Sequence, residues 1–230
     1  MRACDAEVRA LNLQTRISLV IGAVVALIVA AVAIVSLTGG GETPTETVDD
    51  TVSESPLVRA DSRILGEEGS SGVTFVEFLD FECESCGAAY PVVEQLREEY
   101  AGRVTFVARY FPLPGHFNSE RAARAVESAA RQGEFEAMYQ TMFETQASWG
   151  EGSAPLDDLF RSYAVDLGLD MAQYDADYAS AEVADRVQAD VEDGHSLNVS
   201  GTPTFYIDGR LVQPETVQDL ADALDRALGE

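Results

Sequence analysis

The sequence has no lysine: all 15 basic residues are arginine, set against 40 Asp and Glu, for a formal charge of −25 over 230 residues. So acidic a surface repels phosphate backbones, which argues against nucleic acid as a partner. The excess reads as a soluble, salt-tolerant coat, with adaptation to high ionic strength as a further reading. Cysteine is nearly as scarce, present only as Cys4, Cys83 and Cys86, and His116 and His195 are the two imidazoles. A four-Cys zinc site is therefore impossible. With few Gly and Pro, no internal repeat and 46% hydrophobic residues, the chain holds one well-cored domain plus an appendage rather than two large domains.

One long apolar run is present. Ile17 to Leu37 gives 21 residues without a charge, enough to cross a hydrocarbon core as a helix. Arg2, Arg9 and Arg16 precede it, whereas Glu42, Glu46, Asp49, Asp50 and Glu54 follow before the first arginine at 59. The positive-inside bias keeps residues 1–16 in the cytoplasm and exports the rest. A cleaved signal peptide is the competing reading, since Ala31-Val32-Ala33 fits a cleavage site, but that site lies inside the run and the run exceeds the usual signal length. An uncleaved anchor over 17–37 is the expectation, and Cys4 is then a reduced cytoplasmic thiol. Residues 38–60, rich in Gly, Thr, Glu, Asp and Ser, are expected to form a flexible tether.

The folded part, 61–230, is expected to begin on a strand over Val73–Phe78, followed by a helix from about Cys83 to Tyr100 and a strand over Val104–Tyr110. These three make a parallel unit. Apolar residues at helical spacing then fill about 117–196, with breaks at Gly133, Gly150–Pro155 and Gly168. Asp208-Gly209 between Thr204–Ile207 and Arg210–Val212 signals a hairpin. A closing helix over Glu215–Leu228 has an apolar face of Val217, Leu220, Leu224 and Leu228. This order predicts an α/β sheet with an inserted helical domain.

The chemistry gathers at Cys83-Glu84-Ser85-Cys86, where a strand ends and a helix begins. Free N–H groups at the helix start stabilise a thiolate at Cys83, and Cys86 lies one turn on, within reach for a disulfide. A structural bridge or half a metal site are the alternatives, but a βα turn in an exported chain suits redox cycling. Glu77, the one acid in its strand, faces away from Val76 and Phe78. It is either a buried proton acceptor for Cys86 or an exposed strand residue. Val199-Ser200-Gly201-Thr202-Pro203-Thr204 invites a cis Thr202–Pro203 bond whose backbone pairs with an extended chain, though an ordinary trans proline fits as well. Asp80, Glu82 and Glu84 crowd the turn and read as solvated charges that oppose a thiolate. His116 and His195 read as structural before catalytic, and Trp149 as packing within the insertion.

"VTFVEFLDFECESC" at 73–86, "FPLPGHFN" at 111–118, "LGLD" at 167–170 and "VSGTPTFYIDGR" at 199–210 together resemble the DsbA-like branch of the thioredoxin superfamily, especially its single-pass, membrane-anchored bacterial members. The resemblance covers about 62–228. It implies a thioredoxin fold, with Cys83 as the exposed attacking cysteine and Cys86 as the buried resolving one. It further implies Glu77 as the buried acid, Thr202-Pro203 as the cis-proline loop that contacts substrate, and Glu84 and Ser85 as the dipeptide facing it. The departure is that dipeptide. Relatives commonly carry Pro with an aromatic or His there, and an acid with no imidazole is expected to raise the Cys83 pKa and make the disulfide less oxidising.

The expected activity is therefore extracytoplasmic thiol:disulfide exchange. Disulfides enter reduced or unfolded exported polypeptides, and a quinone-linked membrane partner reoxidises the pair. A reductase or isomerase running the other way, and a non-catalytic client-binding module, are the alternatives. Nothing in the sequence calls for a metal or an organic cofactor.

Overall fold

The structure, a computed structural model, describes residues 55–230. Cys4, the apolar run 17–37 and most of the expected tether lie outside these residues. Among the described residues no helix is long and apolar enough to cross a membrane.

The parallel unit forms where expected. Strand β2 (Thr74–Leu79) leads through helix α1 (Glu84–Glu99) to strand β3 (Thr105–Tyr110), with Thr74 opposite Thr105 and Leu79 opposite Tyr110. Strand β4 (Thr204–Ile207) lies antiparallel on the other side of β2, placing Phe205 opposite Glu77. It turns through Asp208-Gly209 into strand β5 (Arg210–Val212). Both turn residues have positive φ, 47° and 77°, as the tightest hairpin turn requires.

The sequence expectation lacked β1 (Arg63–Leu65), which pairs antiparallel with β3 and gives the order β1-β3-β2-β4-β5. Three residues with one charge carry no readable alternation. A tertiary contact holds this edge: the Arg63 guanidinium pairs with the buried Glu127 carboxylate, which also accepts from Tyr110 Oη at 3.1 Å.

The insertion comprises helices α2 (Ser119–Ala130), α3 (Phe135–Trp149), α4 (Asp157–Asp166), α5 (Met171–Tyr178) and α6 (Ala181–Ser196). Alanines on several sides of α2 let the other helices approach closely, and Ala122, Ala123, Ala125 and Ala129 are all buried. Trp149 packs edge-on against Phe160 inside the insertion. The break between α5 and α6 was not expected, because it contains neither Gly nor Pro. Ser180 makes it by accepting from Val183 N at 3.2 Å. The closing helix α7 (Val217–Leu228) starts two residues later than the sequence suggested, with Thr216 and Asp219 forming a capping box. Val217, assigned to its apolar face, is exposed instead, the buried stripe being Leu220, Ala223 and Leu224.

The sheet separates two cores. Phe75 and Leu79 pack with α1, the insertion and α7, whereas Val76, Phe78, Val107, Phe111 and Tyr206 form a smaller core with residues of α6. Leu57 and Val58, placed by the sequence in the tether, pack on that smaller core. The carbonyls of Pro56 and Leu57 accept from Arg109 Nη1 at 2.9 and 2.7 Å. A buried arginine demands acceptors, and this backbone supplies two of them, so the ordered part begins before residue 61.

Candidate active site

The turn after β2 brings Cys83 to the N-cap of α1. Its N–H donates to the Asp80 carbonyl at 3.1 Å, and its own carbonyl accepts from Gly87 N at 3.0 Å, the first bond of the helix. Glu84 and Ser85 face solvent on the first turn, while Cys86 points inward. Cys83, the cysteine implied to be exposed, is only 7% exposed, and Cys86 is fully buried. Cys83 Sγ lies 3.4 Å from the Thr202 carbonyl oxygen.

This environment overturns the expected rise of the Cys83 pKa. The thiol is lowered to about 5, chiefly by a hydrogen bond from Cys86, with burial working against it and Thr202 and the N–H groups of Cys86 and Ser85 adding to the fall. The neighbours at the helix N-terminus outweigh the acid beside them. Cys86 moves the opposite way, pushed well up by burial, by Cys83 and by Glu77. One sulfur is a ready thiolate and the other holds its proton.

Thr202–Pro203 is the cis peptide that the sequence invites. The Thr202 hydroxyl is buried with no other partner among the described residues, which leaves it available to the Cys83 sulfur. The Thr202 N–H likewise has no hydrogen-bond partner among them.

Glu77 is buried, 2% exposed, on the Cys86 side of the sheet. Its carboxyl takes no hydrogen bond from any described residue, so burial, aided by Glu94 and Cys83, raises it to about 8. Tyr139 is buried and electrostatically coupled to Glu77, and its hydroxyl has no partner among the described residues. Its helical spacing in the sequence signalled only core.

Asp80 and Glu82 are not solvated as expected; they are 1% and 3% exposed. Asp80 accepts from Glu82 N at 2.9 Å and Leu113 N at 3.0 Å, and pairs with His116 Nδ1 at 2.6 Å. Glu82 accepts from Asn118 N at 2.5 Å. Buried carboxylates are retained where backbone donors converge on them, and here they fasten the "FPLPGHFN" segment to the cysteine turn. His195 packs edge-on against Phe111 with ring centres 5.1 Å apart, a structural place. Glu84 lies beside Glu151 and raises the latter's pKa.

Gln146 of α3 went unnoticed in the sequence. Its Nε2 donates to the carbonyls of Phe81 and Cys83, both at 2.8 Å, bridging the insertion to the cysteine turn. Gly87 makes room for it, since a Cβ there would lie 1.9 Å from Gln146 Oε1. A glutamine in an otherwise apolar helical stripe was the available signal.

Comparisons with known proteins bear on the fold and the family. A thioredoxin-like oxidoreductase from Silicibacter pomeroyi superposes with a TM-score of 0.63 at 30% identity, over 76% of this chain and 97% of that one. BdbD from Bacillus subtilis superposes at 0.64 with 20% identity, over 74% and 94%, and shares the fold. A protein named Na(+)/H(+) antiporter NhaA 1, from Mycobacterium sp. strain KMS, is 36% identical over 143 residues, which is 60% of this chain but only 22% of the antiporter. The chain thus matches about a fifth of that larger protein. The sequence profile described as Thioredoxin matches residues 59–226, the strands, the cysteine turn, the insertion and the cis-proline loop together, and the chain belongs to the thioredoxin family.

Proposed function

We propose that the chain is an extracytoplasmic thiol:disulfide oxidoreductase that introduces disulfides into exported polypeptides through Cys83 and Cys86. The observation that carries this reading is the opposite displacement of the two thiols, Cys83 down to about 5 and Cys86 well up. A stable thiolate at Cys83 favours the reduced protein, and so makes its disulfide the oxidant.

In the cycle a client thiolate attacks Cys83 Sγ of the disulfide. The S–S bond breaks, and Cys86 leaves as a thiolate that takes a proton. Glu77, protonated up to about 8 and electrostatically coupled to Cys86, is the group that exchanges that proton. A second client thiolate then attacks the client sulfur of the mixed disulfide, releasing Cys83 as a thiolate. The client loses two electrons and the Cys83–Cys86 pair gains them. The N–H of Thr202, without a partner among the described residues, pairs with the extended client as an added strand, and Glu84 and Ser85 face it. A membrane partner, quinone-linked, removes the two electrons. Residues 17–37 anchor the chain with 1–16 in the cytoplasm, supported by the arginines before the run and the acids after it.

The test is the reduction potential of the full chain in detergent, carrying Cys4→Ser, titrated against glutathione with alkylation as readout. A value well above the roughly −270 mV of thioredoxin, towards the approximately −120 mV of DsbA, is expected. A value at or below thioredoxin's makes the protein a reductase, and absence of a reversible couple removes the oxidoreductase reading.

A further inference from the structure

The dipeptide Glu84-Ser85 supplies no cation to Cys83, and Glu84 opposes a thiolate. An imidazole stands nearby from another segment. Asp80 directly follows β2 with its side chain fully buried, and it contacts both cysteines through its backbone: its carbonyl accepts from Cys83 N at 3.1 Å and its N–H points at Cys86 Sγ at 3.5 Å. Its carboxylate holds His116 Nδ1 at 2.6 Å, and the imidazole is 29% exposed. His116 also lines a cleft of about 320 Å³ together with Glu82, Glu84 and Phe117, directly beside the Cys83 turn. One residue thus fixes the peptide frame of the two sulfurs and the place of the imidazole.

We propose that Asp80 and His116 are a positioning pair that sets a positive charge at the mouth of the Cys83 turn and stabilises the thiolate there. The inference rests on the thiol:disulfide reading and deepens it. It assigns to His116, thirty-three residues after Cys83, the electrostatic duty that the dipeptide between the cysteines leaves unfilled.

The groups around the imidazole favour its charged form. Asp80 faces it from β2, Glu82 and Glu84 from the cysteine turn, and Glu151 from the segment after α3. On its other side a second groove contains Glu120 and Arg121 of α2 and His195 of α6. Burial works against the protonated ring, but Asp80, Cys83 and Glu82 outweigh it, so His116 is raised from its ordinary value. By reciprocity the imidazolium favours the Cys83 thiolate as much as the thiolate favours the imidazolium.

The experiment uses the full chain carrying Cys4→Ser and compares His116→Gln, which removes the charge, with His116→Arg, which keeps it and does not titrate. Thiolate absorbance against pH is read on the reduced chain, and the equilibrium with glutathione on each variant. His116→Gln is expected to lower the thiolate fraction near pH 5 by about three- to tenfold and to shift the equilibrium by a similar factor towards the disulfide, while His116→Arg restores both. A purely structural role would instead damage both variants alike and show in thermal unfolding. An unchanged thiolate titration in a folded His116→Gln overturns the proposal, as does a folded His116→Arg that behaves like His116→Gln. The unsubstituted protein supplies a further check by NMR: His116 is expected to titrate higher in the reduced than in the oxidised chain, and equal values overturn the proposal. Absence of a reversible couple would overturn the oxidoreductase reading alone, because the thiolate titration needs no exchange partner.

Discussion

Glu77 of β2 and Arg109 of β3 sit on neighbouring strands at 2% and 0% exposure, on opposite faces of the sheet, and the protein treats the two charges in opposite ways. Arg109 makes four hydrogen bonds. It meets Asp190 at 2.7 Å, Asp193 at 2.6 Å and two backbone carbonyls, and its guanidinium lies over the Phe78 ring. Glu77 has no hydrogen-bond partner among the described residues and lies on the face that carries Cys86. A buried charge so widely paired is a clamp, tying residues 56–57 and α6 to the sheet. A buried carboxyl left without partners stays protonated into the neutral range and is free to exchange its proton.

The comparison breaks most severely at the sulfur itself. Cys83→Ser is expected to reduce oxidation of a reduced client protein to background, while denaturant unfolding of the reduced chains near pH 5, where the Cys83 thiolate adds little stability, is nearly unchanged. On the clamp side, Arg109→Met leaves Asp190 with Arg186 and Asp193 with Arg59 as remaining cations and frees the carbonyls of Pro56 and Leu57, and urea unfolding is expected to show a loss of about 3 kcal/mol. The Cys83 titration of that variant stays at its wild-type position, provided the measurement is made where the chain is folded.

Glu77→Gln tests the proton side. Stopped-flow kinetics of mixed-disulfide formation at neutral pH are expected to slow by about 10–100-fold. The same variant changes the pH dependence of stability. Because Glu77 binds its proton more tightly folded than unfolded, its contribution is present below about 4.5 and is lost as pH rises through about 8. Glu77→Gln therefore flattens the decline over that window and exceeds the wild type above it. Cys83 has the opposite sign. Its folded pKa of about 5 lies below the ordinary 9.0, so the reduced chain gains stability as pH rises between these values and loses it again as pH falls through about 5. Unfolding of reduced and oxidised chains across this range reads the difference directly.

A smaller effect is expected at the packing behind the clamp. A Cβ at Gly194 would lie 2.6 Å from the Phe111 ring, so Gly194→Ala is expected to lower stability by about 1–3 kcal/mol in the same unfolding assay, with exchange activity kept.

Much of this layout was legible in the sequence where the signal is local. The strand before the cysteines, α1, the Asp208-Gly209 hairpin and the Gly-marked breaks of the insertion stand where composition and turn chemistry put them. What was illegible depends on partners far away. β1 exists through pairing with β3 and the Arg63–Glu127 bridge, 64 residues apart. Asp80 and Glu82 look like solvated acids until Leu113, His116 and Asn118 arrive to bind them. Gln146 reaches its two carbonyls across more than sixty residues.

By itself the sequence determined the acidic, lysine-free character of the chain, the Cys83–Cys86 spacing at a βα turn, and the position of the Thr202–Pro203 loop, because each is written in adjacent residues. Tertiary structure decided the balance between the groups that act on the two thiols. The acid beside Cys83 argued for a raised pKa, and the fold lowered it by adding hydrogen bonds from Cys86, Thr202 and the helix N-terminus. Such shifts are sums over everything within a few ångströms: Cys86 and the helix N–H groups are neighbours in sequence, but burial and Thr202 act on Cys83 only once the chain is folded.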